Sequence, residues 1–194
     1  MNPIAVVLIV ALVVVLAAGA VLAVKARRRA QLRERFGPEY ERAVEEGESV
    51  QAAEAGLRAR VEEREALTIR ALSADERASF NQRWLDVQAE FVERPESAII
   101  DADALVTELM HERGYPVADD FERQANLVSV DHPQVVANYR DAHAAFARTG
   151  TDDEVSTEDL RQGLVSYRAL FAELLEDETE TETTDDDRKR EAVQ

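Results

Sequence analysis

Twenty-one consecutive residues, Ile4 to Val24, are all apolar or glycine: IAVVLIVALVVVLAAGAVLAV. As a helix rising about 1.5 Å per residue, the run is roughly 31 Å long, enough to cross the hydrocarbon core of a bilayer. Lys25, Arg27, Arg28 and Arg29 come directly after it. A removable signal peptide would have a basic leading segment, a shorter apolar stretch and a small-residue cleavage site. Here only Met1-Asn2-Pro3 precedes the run, without a basic side chain. Ala17, Ala18 and Ala20 could mimic a cleavage site, but the apolar run continues past them and ends in the basic cluster. That is a stop-transfer pattern, and the segment reads as an uncleaved anchor.

The basic cluster also sets an orientation. By the positive-inside rule, Lys25, Arg27, Arg28 and Arg29 place the later residues in the cytoplasm and the N-terminus outside, making a single-pass protein of the plasma membrane. Each basic side chain meets anionic headgroups of the cytoplasmic leaflet for about 1 kcal/mol. The span has one glycine, Gly19, and no GxxxG, so it carries no specific signal for helix dimerisation.

The net charge of -17 hides an asymmetry. Residues 1–29 carry four positive charges and no negative ones, leaving 19 basic and 40 acidic side chains, or -21, for the rest. So acidic a part argues against nucleic acid, whose phosphates it repels. Cysteine is absent, which removes disulfides, thiolate metal sites and a cysteine nucleophile.

Strand signals are nearly missing, while helix punctuation is frequent. Phe36-Gly37-Pro38 breaks the chain after the basic segment. From Glu39 to about Leu67 the sequence reads as one long, mostly polar helix, with Tyr40, Val44, Leu57 and Val61 near one face. Gly47 and Gly56 weaken it by about 1 kcal/mol each relative to alanine. Ser73-x-x-Glu76 is a capping box that opens a helix to about Glu93. Phe80, Trp84, Val87 and Phe91 give that helix the strongest core face in the chain. Pro95 suits the first turn of the next helix, which buries Ile99, Ala102, Val106 and Leu109 and ends at Gly114 as a left-handed cap.

Asp119 or Asp120 caps a short helix with Phe121, Ala125 and Val128, and Asp131 caps another beginning near Pro133, with Val135, Val136, Tyr139, Ala142 and Phe146 inward. Thr149 to Asp153 is a loop. Ser156-x-x-Asp159 then caps a last helix in which Leu160, Leu164, Tyr167, Phe171 and Leu174 repeat at heptad-like spacing. That spacing permits self-association and equally serves an internal core. From Glu173 to Asp187, nine of fifteen residues are acidic and none is basic, a composition that reads as disordered.

No catalytic or phosphate-binding motif occurs: there is no GxGxxG, P-loop, HExxH or GxSxG. His132 and His143, eleven apart on one helix, stand roughly 16 Å apart, too far to share an ion. Asp101 and Asp103, two apart on a helix, point in different directions and read as a solvated face. Neither a metal nor a cofactor is expected. Arg113-Gly114-Tyr115-Pro116 lies between two helices, where Arg113 favours the helix dipole. The functional reading of this region is a recognition loop offering Arg113 and Tyr115, with Asp131, His132 and Arg140 nearby in sequence.

Several stretches together resemble a family of uncharacterised single-pass membrane-anchored helical proteins common in high-GC Gram-positive bacteria. They are Arg35-Phe36-Gly37-Pro38-Glu39-Tyr40, Trp84 through Phe91-Val92 with Pro95, Ala102-Asp103, Arg113-Gly114-Tyr115-Pro116-Val117, and Ser129-Val130-Asp131-His132-Pro133 with Tyr139-Arg140. The resemblance covers roughly residues 33–146. It implies a helical part behind an N-terminal anchor and carries over no activity, ligand or catalytic residue.

The expected fold is all-α: an N-terminal transmembrane helix, a long linking helix and a small antiparallel helical bundle. The expected divisions are 1–29 for the anchor and basic collar, 30–72 for the linking helix, 73–175 for the bundle and 176–194 for the acidic tail. The expected function is a non-enzymatic, membrane-anchored cytoplasmic interaction or scaffold module, touching the lipid bilayer through Ile4–Val24 and a protein partner that the sequence does not identify. The alternatives are an enzyme using a His/Arg/carboxylate cluster near residues 131–143, and an envelope-side helical protein of opposite topology.

Overall fold

The computed structural model describes residues 3–116, 120–148 and 155–176, without the side chains of 3–10, 14, 145 and 148. Among the described residues the chain is all-α, with eight helices and no strand: α1 Pro3–Phe36, α2 Pro38–Glu46, α3 Val50–Glu65, α4 Ala74–Phe91, α5 Pro95–Arg113, α6 Phe121–Val128, α7 Pro133–Arg148 and α8 Thr157–Glu176. Among the described residues no helix is long and apolar enough to cross a membrane. The described side chains of α1 begin at Ala11, so the first third of the apolar run lies outside them. The 149–153 loop, Asp119, and residues 177–194 of the acidic tail also lie outside the described residues.

The chain divides into two compact units, Met1–Arg58 and Ala59–Gln194. In the first, α1 runs through the basic cluster to Phe36. Gly37 turns the chain with φ 48°, a left-handed backbone that favours glycine, and Pro38 opens α2 at its first turn. Leu32, Phe36, Tyr40, Ala53 and Leu57 are its buried apolar residues.

The single long helix expected from Glu39 to Leu67 is instead two. Gly47 leaves the helix with an extended backbone, and Ser49 starts α3 by accepting from Ala52 N–H at 3.2 Å. A Cβ at Gly47 would stand 2.8 Å from the Ala43 carbonyl oxygen, so glycine is what lets the chain exit there. A local cap on each side of the break outweighs the weak helical continuity of a polar sequence with a thin apolar stripe.

In the second unit the expected punctuation is present. Ser73 Oγ accepts from Glu76 N–H, and the Glu76 carboxylate accepts from Ser73 N–H at 2.8 Å, a complete capping box for α4. Asp120 caps α6 by accepting from Glu122 N–H, and Ser156 caps α8 by accepting from Asp159 N–H. Gly114 ends α5 with φ 99°. The segment after α3 passes so close that a Cβ there would lie 2.3 Å from the Thr68 carbonyl oxygen, and Arg70 N–H donates to Arg113 O across the same approach.

Residue pairs fix the directions of the bundle helices. Arg83 pairs with Glu108 and Arg70 bridges Glu76 and Glu112, so α4 and α5 run antiparallel. His132 meets Glu173 near the start of α7, and Tyr139 meets Tyr167 further along, so α7 and α8 are also antiparallel. α5 lies against α4, α7 and α8 and is the central helix. It buries Ala98, Ile99, Ala102, Leu105, Val106, Leu109 and Met110. Trp84 of α4 stacks on Phe171 of α8 with ring centroids 4.7 Å apart.

Candidate functional site

The polar chemistry of the bundle gathers where α5, α7 and α8 meet. Tyr167 is fully buried, and its Oη donates to Asp103 Oδ1 at 2.7 Å. The same oxygen faces His143 Nδ1 at 3.2 Å. His143 is covered on one side by Phe121, with centroids 3.6 Å apart and planes within 5°. Tyr139 is buried beside them and meets Tyr167 edge-on. Burial pushes the Tyr139 and Tyr167 hydroxyls well above the ordinary phenol range, and the nearby Asp103 charge adds to both shifts.

Asp103 therefore differs from the solvated residue that its spacing from Asp101 suggests. Asp101 is exposed, whereas Asp103 flanks the buried face of α5 and is shared by two neighbouring helices. The partners stand 40 and 64 residues away in sequence, and local periodicity contains no trace of them.

Each residue read as part of a recognition loop is placed against another element of the fold. Arg113 is wholly buried, and its Nη1–H donates to the Leu174 carbonyl at 2.8 Å, near the C-terminus of α8 where helical carbonyls lack intrahelical donors. Tyr115 is also buried, and its hydroxyl donates to Asp131 Oδ2. Arg64 Nε donates to the same oxygen, and its guanidinium stands over the Tyr115 ring at 5.8 Å. Asp131 thus joins α3 to the segment after α5. With Pro133 opening α7, the capping position falls to His132 rather than to Asp131. His132 is buried with Nδ1 3.4 Å from Glu173 Oε2. Arg140 donates to Glu122 and to Asn126 Oδ1 on α6. Tyr115 and Asp131 are thus brought together, and Arg113 and His132 meet consecutive residues of α8, Leu174 and Glu173, while Arg140 reaches α6.

A groove of about 440 Å³ lies between α4 and α8, lined by Trp84, Leu85, Phe171 and Leu175 with Arg77 and Arg168. The Trp84 Nε1–H is buried without an acceptor among the described residues. Among the described residues no group of three or more His, Asp or Glu side chains is arranged to hold a metal ion. In the first unit, Lys25, Arg27, Arg28 and Arg29 are exposed on α1, and Arg29 Nε donates to Glu54 Oε1 at 2.6 Å. The chain matches no family model, no curated protein and no solved structure.

Proposed function

We propose that this chain is a single-pass plasma-membrane protein, anchored through Ile4–Val24, whose helical bundle is a non-enzymatic interaction or scaffold module on the cytoplasmic side. One observation carries the anchor. Leu12, Val13, Val15, Leu16, Val21, Leu22 and Val24 are 48–67% exposed. At 3.6 residues per turn these seven positions point to all sides of α1, and a lipid environment covers every side at once. Lys25, Arg27, Arg28 and Arg29 end the run and favour the cytoplasmic side for the remainder of the chain.

The module reading is supported by how the bundle uses its reactive side chains. His132 faces Glu173, Arg140 faces Glu122, and His143 faces Asp103. Each of these contacts ties one helix to another, a structural use of histidine, arginine and carboxylate side chains. The likeness to single-pass helical proteins of high-GC Gram-positive bacteria belongs to the same proposal.

Reporters fused after Gln194 test the topology. A fluorescent protein that folds in the cytoplasm should be bright there, and an alkaline phosphatase that folds only outside should be inactive. An active phosphatase fusion would establish the envelope-side alternative. Crosslinking pull-down of the intact protein tests the module: a partner enriched over an anchor-only control is expected, and no enrichment contradicts the reading.

A further inference from the structure

Within the first unit, α1 and α3 enclose a cleft of about 480 Å³ lined by Leu22, Lys25, Ala26, Arg28, Arg29, Gln51, Glu54 and Arg58. The spacing explains the convergence. Leu22, Lys25, Ala26 and Arg29 recur at i, i+3, i+4 and i+7 on α1, and Gln51, Glu54 and Arg58 recur at i, i+3 and i+7 on α3, so each set occupies one helix face. Four cations and one carboxylate therefore share the cleft, in a chain whose residues after 29 are strongly acidic. The carboxylate is already engaged: Glu54 Oε1 accepts from Arg29 Nε at 2.6 Å and from the buried Tyr40 hydroxyl at 3.1 Å. That arrangement holds Arg29 in place. Arg58 stands close enough to Glu54 to stabilise its charge, and Gln51 adds an amide donor to the lining.

We infer that this cleft binds the phosphate headgroup of an anionic phospholipid. The inference rests on the membrane-anchor reading, because Leu22 and Ala26 bring the cleft to the end of the apolar run, where a lipid phosphate would lie beside its acyl chains. Several guanidinium groups suit a phosphate, since each offers paired N–H donors at the spacing of its oxygens. The contribution of Arg58 separates a built site from a diffuse basic collar. It stands 34 residues beyond Val24 and joins the collar only through the fold. Arg27 carries the same charge next to the apolar run but does not line the cleft.

Native mass spectrometry of the detergent-solubilised full chain, offered dioleoyl phosphatidylglycerol and dioleoyl phosphatidylcholine together, tests the site. Wild type should retain phosphatidylglycerol preferentially. Arg58→Gln should weaken that retention about fivefold, and Arg27→Gln less than twofold, with helical content by circular dichroism unchanged. Equal retention by wild type and R58Q overturns the inference, as does a loss in R27Q that matches or exceeds the loss in R58Q. Displacement of the lipid by excess inorganic phosphate would assign the cleft to a free anion and overturn the lipid source. Carbonate extraction of the same proteins separates the two readings: wild type released from membranes defeats the anchor, whereas R58Q that stays inserted yet retains the lipid as wild type does defeats the cleft alone.

Discussion

Tyr167 donates a 2.7 Å hydrogen bond to Asp103 from a position without solvent exposure. Hydrogen bonds to charged groups contribute about 1.5–3 kcal/mol, so Tyr167→Phe should lower the urea-unfolding free energy by that amount. An unchanged midpoint would mean that the bond is absent in solution. Its ring is one of four: Tyr40, Tyr115, Tyr139 and Tyr167 are all the tyrosines of the chain, and each is at most 1% exposed. Burial raises all four hydroxyl pKa values. An unfolded tyrosine releases its proton near pH 10, while the folded ones hold theirs, so the stability from these groups is intact below about pH 10 and is lost as pH rises further. Tyrosinate absorbance should therefore appear together with loss of far-ultraviolet dichroism. A tyrosine that titrates near pH 10 in the still-helical protein would contradict the burial. At this scale the sequence exposes the residues that act locally, such as Ser73, Glu76 and Gly114. It conceals Asp103 and Arg58, whose partners meet them only after distant helices pack.

Helix boundaries are set by caps and glycines whose effects can be measured one at a time. Gly56 sits exposed within α3 with nothing within 4 Å of where its Cβ would be. Gly56→Ala should therefore stabilise the protein by about 0.5–1 kcal/mol. Gly114→Ala should do the opposite, by about 2–4 kcal/mol, because φ is 99° and the new Cβ would press on the Thr68 carbonyl. Thermal unfolding of the two variants should shift in opposite directions, and a neutral G114A would contradict the close approach to Thr68. The α4 capping box also gives an acid-sensitive element. Arg70 holds the Glu76 carboxyl at about 2, with the Ser73 backbone and hydroxyl as further donors. A carboxyl depressed in the fold contributes stability above its unfolded value near 4.3, and that contribution is lost as pH falls toward 2. Glu76→Gln should flatten the acid limb of the stability curve in that interval. The Ser73–Glu76 capping box and the Phe80-Trp84-Val87 face were legible because each needs only a few neighbouring residues. The break at Gly47 was not, because a glycine inside a polar helix and a glycine ending one look alike until Ser49 is seen to cap the next helix.

Across the whole molecule, an acidic second unit packed on α5 accompanies a first unit that begins apolar and turns basic. The all-α class was legible from the scarcity of strand signals and the frequency of caps. The division within α3 at Arg58–Ala59 was not, since no composition shift marks it. The proposed membrane anchor lies in α1, and alkaline carbonate extraction of cell membranes containing the full chain tests it most directly. Wild type should remain in the membrane pellet. Leu12→Arg with Leu16→Arg should move the protein to the soluble fraction, because each arginine near the centre of a span costs about 2.5–3.5 kcal/mol of insertion. Wild type in the soluble fraction would contradict the anchor.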